Sequence, residues 1–146
     1  MSARWRRSTL RATRLPLVMA ELVVDASALV DLLLDNELGG AVRRRIAGHA
    51  LHAPAHIDAE VLSVLGRLHR AGELEADSVE SKLHDLVAAP IERHPTTDLL
   101  LGAWARRHQL RLVDALYVQL AVSMDVPLVT TDRRLLAAPS ADVVIT

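Results

Sequence analysis

The sequence predicts an α/β fold with three layers, α/β/α, around a central and mostly parallel sheet of four to five short strands. Two observations predict this class. Short apolar runs of three or four residues alternate with longer segments whose apolar residues recur at helical spacing, which is the pattern of strand–helix–strand units. The chain also has 146 residues, of which 51% are hydrophobic, so one domain can bury a sizeable core. Cysteine is absent, which excludes disulfides and thiolate sites.

The first strand–helix pair comes from the segment LVVDASALVDLLL. Leu22–Val24 is a short apolar run and predicts the first strand. Ser27 is a suitable N-cap for an apolar helix that continues through Leu34. The Asn at 36 and the glycines at 39 and 40 are expected to end this helix, and a second helix is predicted over Ala41–Ala47.

The middle of the chain predicts two strands and two long helices. Leu51–Ala53 is a brief strand that ends at a proline, and Ile57–Arg70 has apolar residues at helical spacing. Gly72 stops that helix. A partner helix is predicted over Ala76–Val87, and a short strand over Ile91–His94.

The last third of the chain repeats this alternation. A helix capped by Thr97 is predicted to run to about His108, and Val113–Ser123 predicts another helix. The remaining elements are a continuous apolar strand, one helical turn and a closing strand, predicted over Pro127–Thr130, Arg133–Ala137 and Val143–Ile145.

Four acidic residues stand where an apolar stretch meets a turn or where a helix begins. They are Asp25, Glu60, Asp114 and Asp132. A carboxylate at the end of a buried strand is costly unless a partner pairs with it, and the chain has a single lysine, Lys82. Because the carboxyl ends of parallel strands and the first turns of helices meet at one edge of such a sheet, the four can converge there. Hard divalent ions such as Mg²⁺ prefer oxygen ligands of this kind.

Each of these acids also has an ordinary structural interpretation. Asp25 can cap the following helix, Asp114 can complement the helix dipole, and Asp132 can cap a turn. Glu60 can be a solvent-exposed helix residue or a partner of a nearby arginine. Nearby polar residues are assigned by default to simpler roles: a surface position for His56, a helix cap for Asp58 and a solvated helix position for Asp31.

Four segments together resemble the PIN-domain ribonucleases, and specifically the VapC toxins of bacterial toxin–antitoxin pairs. They are VVDASALVDLL, IDAEVLSVLGRL, DALYVQLA and LVTTDRRL, and the resemblance spans residues Met19–Thr146. It implies a PIN-like sheet and a cytoplasmic endoribonuclease that depends on Mg²⁺ or Mn²⁺, is neutralised by a cognate VapB-type antitoxin and is usually a homodimer. Its catalytic and metal-binding set would be the four acids at 25, 60, 114 and 132.

The resemblance also assigns supporting residues and shows one departure. Ser27 and Thr130 fall where the family often carries hydroxyl groups. Many relatives have Ser or Thr three residues before the third acid, where this chain has Arg111. Arg111, Arg133 and Arg134 are therefore candidates for contacts with RNA phosphates.

Three further expectations concern organisation and the competing functions. Residues 1–18 carry five arginines and no acid, and are set aside as a basic extension that is disordered or belongs to a misassigned start, so residues 19–146 form a single PIN domain. No Gly-rich phosphate loop and no apolar run of about 20 residues is present, which disfavours a nucleotide cofactor and a membrane span.

The runner-up function is a noncatalytic PIN-like module that binds RNA or serves as a scaffold. A phosphoacceptor receiver domain is less suitable, because its late lysine is missing.

Overall fold

The computed structural model describes residues 19–144, and the predictions for residues 1–18 and for position 145 lie outside the described residues. Within that range the chain forms one five-stranded sheet in the order β3-β2-β1-β4-β5, and every neighbouring pair is parallel. The predicted parallel α/β class is confirmed. The strands are β1 (Glu21–Val24), β2 (Ala50–Pro54), β3 (Ile91–His94), β4 (Leu128–Thr130) and β5 (Ala141–Val143).

Six α-helices in the described range cover the sheet in two groups. Helices α1 to α4 pack with one another, whereas α5 and α6 pack together, and α6 lies against β1 and β2. None of these described helices is long and apolar enough to cross a membrane. The helices are α1 (Ala26–Leu34), α2 (Glu37–Ile46), α3 (Ile57–Arg70), α4 (Ala76–Ala88), α5 (Leu100–Ala105) and α6 (Leu112–Met124).

The central strands are apolar on both sides because helices cover both faces of the sheet. In β1, Leu22, Val23 and Val24 are all buried, and so are Leu128 and Val129 in β4. Continuous apolar runs of this kind are typical of parallel strands, whereas a sheet with one wet face would alternate polar and apolar residues. The core therefore fixes β1 and β4 side by side at the centre, with their carboxyl ends together.

The expected helix break at the two glycines is wrong. Helix α2 begins at Glu37 and contains both glycines, because the Asn36 side chain caps it by accepting a hydrogen bond of 2.7 Å from the Gly39 amide. A Cβ on Gly39 would lie 2.1 Å from the backbone oxygen of Asp31 in α1. Glycine at 39 thus permits a close approach of α1 and α2, although the residue type suggested a break.

Three other elements differ from the sequence prediction. In place of one helix capped by Thr97, a 3₁₀ turn over Thr96–Leu99 precedes the short helix α5. The last strand begins two residues earlier than predicted, because Ala141 pairs with Leu128 in the register of β4. The single predicted turn after β4 is a 3₁₀ helix, Arg133–Leu135.

The contact between α1 and α2 gives a test with a matched control. Gly39→Ala should lower the free energy of unfolding by about 1–3 kcal/mol, because the new methyl group overpacks against α1. Gly40→Ala should instead raise it by about 0.5–1 kcal/mol, since its Cβ meets nothing closer than 3.7 Å and alanine favours the helix. Urea unfolding of both variants measures the difference, and equal effects would contradict the close approach at Gly39.

Candidate functional site

A cavity of about 430 Å³ lies at the carboxyl end of the sheet, and all four predicted acids line it. Asp25 directly follows β1, and Asp132 follows β4 by two residues. Glu60 and Asp114 stand in the first turns of α3 and α6. Four segments that are far apart in the sequence therefore bring carboxylates to one cavity.

Asp25 is the buried centre of a hydrogen-bond network. Its Oδ1 atom accepts from the Ser27 hydroxyl at 2.7 Å and from the Ala28 amide at 2.9 Å, and its Oδ2 atom accepts from the Thr130 hydroxyl. The same hydroxyls accept backbone hydrogen bonds, Ser27 from Thr131 at 3.1 Å and Thr130 from Asp132 at 3.0 Å. The network ties the start of α1 to the loop after β4, which carries another of the four acids.

The N-cap of α1 is Asp25. The prediction of Ser27 as the N-cap is wrong. Asp25 therefore both caps α1 and lines the cavity. Burial raises the pKa of Asp25 to about 6, the three hydrogen bonds oppose this rise, and the negative charge of Asp114 adds to it. The carboxyl group is therefore held at a free-energy cost when it is ionised.

Glu60 is held by two aromatic side chains. The Tyr117 hydroxyl donates to Glu60 Oε1 at 2.6 Å, and His56 Nε2 lies 3.0 Å from the same oxygen. The rings of His56 and Tyr117 are in contact, with centroids 4.6 Å apart. Burial alone would raise the pKa of Glu60, but the close contact with His56 and the hydrogen bond from Tyr117 outweigh it and lower the pKa. Glu60 is therefore a fixed carboxylate, and neither a solvated residue nor a partner of Arg67, which bonds Ser63.

The other two acids have different environments. Burial raises the pKa of Asp114, Arg111 opposes the rise, and the charge of Asp132 adds to it. The pKa of Asp132 is lowered, chiefly by its hydrogen bonds with Arg134, whose Nη2 atom lies 2.6 Å from Oδ2. Among residues 19–144, no three of the four carboxylates bring ligand atoms within 4.8 Å of one another.

Two of the three predicted arginines line the cavity, and the third does not. Arg111 and Arg134 line the cavity, whereas Arg133 is exposed and is not part of its lining. Arg111 occupies the position of the family departure and precedes α6, where its positive charge lowers the pKa of Glu60 and of Asp132. Two cations thus offset part of the negative charge in the cavity.

Several contributors were missed by the sequence interpretation. Only 17% of the His56 side chain is exposed, which corrects its assignment to the surface. Asp31 lines the cavity and accepts from the Thr131 hydroxyl at 2.7 Å. Asp58 lies inside α3 and pairs with Arg93 at 3.0 Å, so it is not the helix cap. His56 and Glu60 are four residues apart at the start of a helix. This spacing was the available signal that both side chains lie on one face of the helix.

Comparisons with known proteins agree on one family. The family model described as "PIN domain" matches residues 22–140. The chain is 54% identical over 123 residues to Ribonuclease VapC3 of Mycobacterium tuberculosis, which covers 83% of this chain and 90% of the relative.

Two solved structures have similar folds. PAE2754 from Pyrobaculum aerophilum matches with a TM-score of 0.62 at 29% identity and covers 84% of this chain and 82% of that one. VapBC2 from Rickettsia felis, solved bound to a DNA fragment from their promoter, matches with a TM-score of 0.62 at 13% identity and covers 86% and 99%. The second likeness, at this low identity, concerns the fold alone.

The raised pKa of Asp25 predicts a pH dependence of stability in the absence of divalent ions. The folded state holds the Asp25 proton more tightly than the unfolded state, so the associated stability is present below about pH 4 and is lost as the pH rises through about 6. The loss is roughly 3 kcal/mol for a shift of this size. Urea unfolding in EDTA should show that this part of the pH profile is absent in Asp25→Asn.

The matched control is Asp77→Asn, which changes an exposed acid in the first turn of α4. It should keep the wild-type pH profile. An Asp25→Asn profile parallel to the wild type across this range would contradict the assignment.

Proposed function

The chain belongs to the PIN-domain family and, within it, to the VapC ribonucleases, and from this premise we propose that it is a metal-dependent endoribonuclease toxin. It would hydrolyse RNA phosphodiester bonds in the cytoplasm and be neutralised by a cognate VapB-type antitoxin. The observation that carries the proposal is the convergence of Asp25, Glu60, Asp114 and Asp132 on one cavity from four separate segments.

The donors in the cavity suit a hard divalent ion. Asp25, Asp114 and Asp132 would hold Mg²⁺ or Mn²⁺, because these ions take carboxylate oxygens and keep bound water. The raised pKa values of Asp25 and Asp114 provide an independent reason, since a cation would offset the cost of ionising them. When bound, such an ion lowers the pKa of its water and polarises a phosphoryl oxygen.

The protein's own groups would orient the reactants. Glu60 is fixed by Tyr117 and His56 and remains ionised, so it can accept a proton from a water molecule in the cavity or hold that water in place. Arg111 and Arg134 line the same cavity and can pair with phosphate oxygens of the RNA. Arg134 also pairs with Asp132, and substrate binding would exchange that contact for one with phosphate.

The proposed partners are an antitoxin and a second copy of the chain. Membership of the VapC ribonucleases supports a VapB-type partner, because the family it resembles consists of the toxins of toxin–antitoxin pairs. Helix α5 supports a homodimer, because Leu101 is 87% exposed and Trp104 is 56% exposed beside it. Leu32 and Leu33 of the apolar run in α1 are buried in the core and are not available for such a contact.

Cleavage of total cellular RNA by the purified chain tests the proposed function. We expect discrete products with Mg²⁺ or Mn²⁺ and none with EDTA. Asp25→Asn should reduce the cleavage rate by more than the roughly 10–100-fold loss that is typical when an outer partner of a metal site is removed. Thermal unfolding of the variant verifies that it is folded. Metal-independent RNA binding by folded wild-type protein without cleavage would favour the noncatalytic module instead.

The role of Tyr117 gives a finer test. Tyr117→Phe removes the hydroxyl that donates to Glu60 but keeps the ring that contacts His56. We expect the cleavage rate to fall roughly 10-fold and the pKa of Glu60 to rise, so that the acidic limb of the pH–rate profile moves to higher pH. An unchanged profile would show that the hydroxyl does not act through Glu60. Val118→Ala, a substitution of a buried neighbour in α6, controls for loss of packing.

A further inference from the structure

A second group of ligand-forming side chains lies on one face of the sheet at β2 and β3. In the register of these strands His52 pairs with Glu92, and His94 follows two residues later. Side chains two residues apart in a strand point to the same face, so the three side chains share that face. Their ligand atoms all lie within 4.8 Å of one another. None of the three lines the acidic cavity.

The shortest contacts meet at one atom of a buried histidine. The Nδ1 atom of His52 lies 2.9 Å from His94 Nε2 and 3.3 Å from a carboxylate oxygen of Glu92. Only 6% of the His52 side chain is exposed, whereas His94 is half-buried and Glu92 is exposed. The group is therefore anchored in the sheet on one side and open to solvent on the other.

The proton on His52 is directed away from this meeting point. Its Nε2 atom lies 3.2 Å from Glu21 Oε1, and a carboxylate can only accept, so Nε2 carries the hydrogen in the neutral ring. The Nδ1 lone pair is then available to accept a hydrogen bond from His94 Nε2 or to bind a cation, with the Glu92 carboxylate 3.3 Å away. A cation between His52, His94 and Glu92 would be attracted to all three groups.

We propose that His52 Nδ1, His94 Nε2 and the Glu92 carboxylate form a binding site for a divalent ion of the Zn²⁺ class. Two imidazoles and one carboxylate form a common three-ligand set for zinc, with the fourth position left to water. Ligand distances of about 2.0–2.1 Å around a tetrahedral ion place the donors roughly 3.3 Å apart, which is close to the two separations above. Glu21 supplies the outer carboxylate that typically accepts the remaining N–H of a metal-bound histidine.

The ligand chemistry separates this site from the acidic cavity. Imidazole nitrogens select Zn²⁺ and its borderline-soft relatives, whereas a cavity with carboxylates alone suits Mg²⁺ or Mn²⁺. The inference does not rest on the nuclease function, because binding of Zn²⁺ can be measured without RNA.

Calorimetric titration of the full chain with Zn²⁺ tests the proposal. The chain is purified without a histidine tag, and Mg²⁺ is present in excess. The Mg²⁺ competes for the acidic cavity. We expect one Zn²⁺ per chain in the wild type, and His94→Gln and Glu92→Gln should each weaken binding roughly tenfold or more. His84→Gln is the matched control, since His84 is 79% exposed and also stands beside a glutamate. It should bind Zn²⁺ like the wild type.

A second variant excludes binding at the cavity. Asp132→Asn should retain the Zn²⁺ affinity of the wild type, because Asp132 is not part of the histidine group. Cobalt absorption spectra of the wild type and of His94→Gln report nitrogen ligation directly, and thermal unfolding verifies that both are folded. The proposal is overturned if the wild type does not bind Zn²⁺, if His94→Gln binds it equally well, or if Asp132→Asn abolishes the binding.

Discussion

The burial of the Asp25 carboxylate at the end of β1 is the constraint on which the rest of the structure depends. An ionised group at this place needs donors, and the chain supplies them from both central strands: the Ser27 hydroxyl and the Ala28 amide after β1, and the Thr130 hydroxyl at the end of β4. These donors start helix α1 and join it to the loop that carries Asp132. Loss of the network would therefore affect the helix, the pairing of the central strands and the cavity together.

The cavity concentrates negative charge that the fold alone does not need. Asp25 and Asp114 both have raised pKa values, and each charge raises the cost of its neighbours. Only part of this cost is offset within the described chain, by Arg111 and by Arg134 on Asp132. Unfavourable electrostatics that persist in an otherwise well-packed core are typical of functional sites, where a ligand supplies the missing charge. The stability of the ligand-free protein and its capacity to hold a cation are thus opposed.

The sequence predicted the class, the parallel sheet and most helices because these follow from apolar periodicity, which is local. It predicted α3 and β3 to the residue. It was wrong at α2, because the need for glycine at position 39 comes from the approach of Asp31 in another helix. The role of Tyr117 was also not predictable from local patterns, since its contacts with Glu60 and His56 join α6 to the start of α3. The functional assignments of the four acids remain proposals, although the structure brings all four to one cavity.

The two metal-binding regions proposed for this chain share one structural connection. Strand β2 carries His52 and ends at Pro54, and His56 begins the helix that carries Glu60. The Ala55 amide within this turn donates to the His94 backbone oxygen at 2.7 Å. A cation that holds His94 against His52 would also hold this hydrogen bond, and with it the turn that orients Glu60. The ligands differ in hardness, so each ion would select its own region. The shared turn would give the nitrogen site a physical route to the position of Glu60.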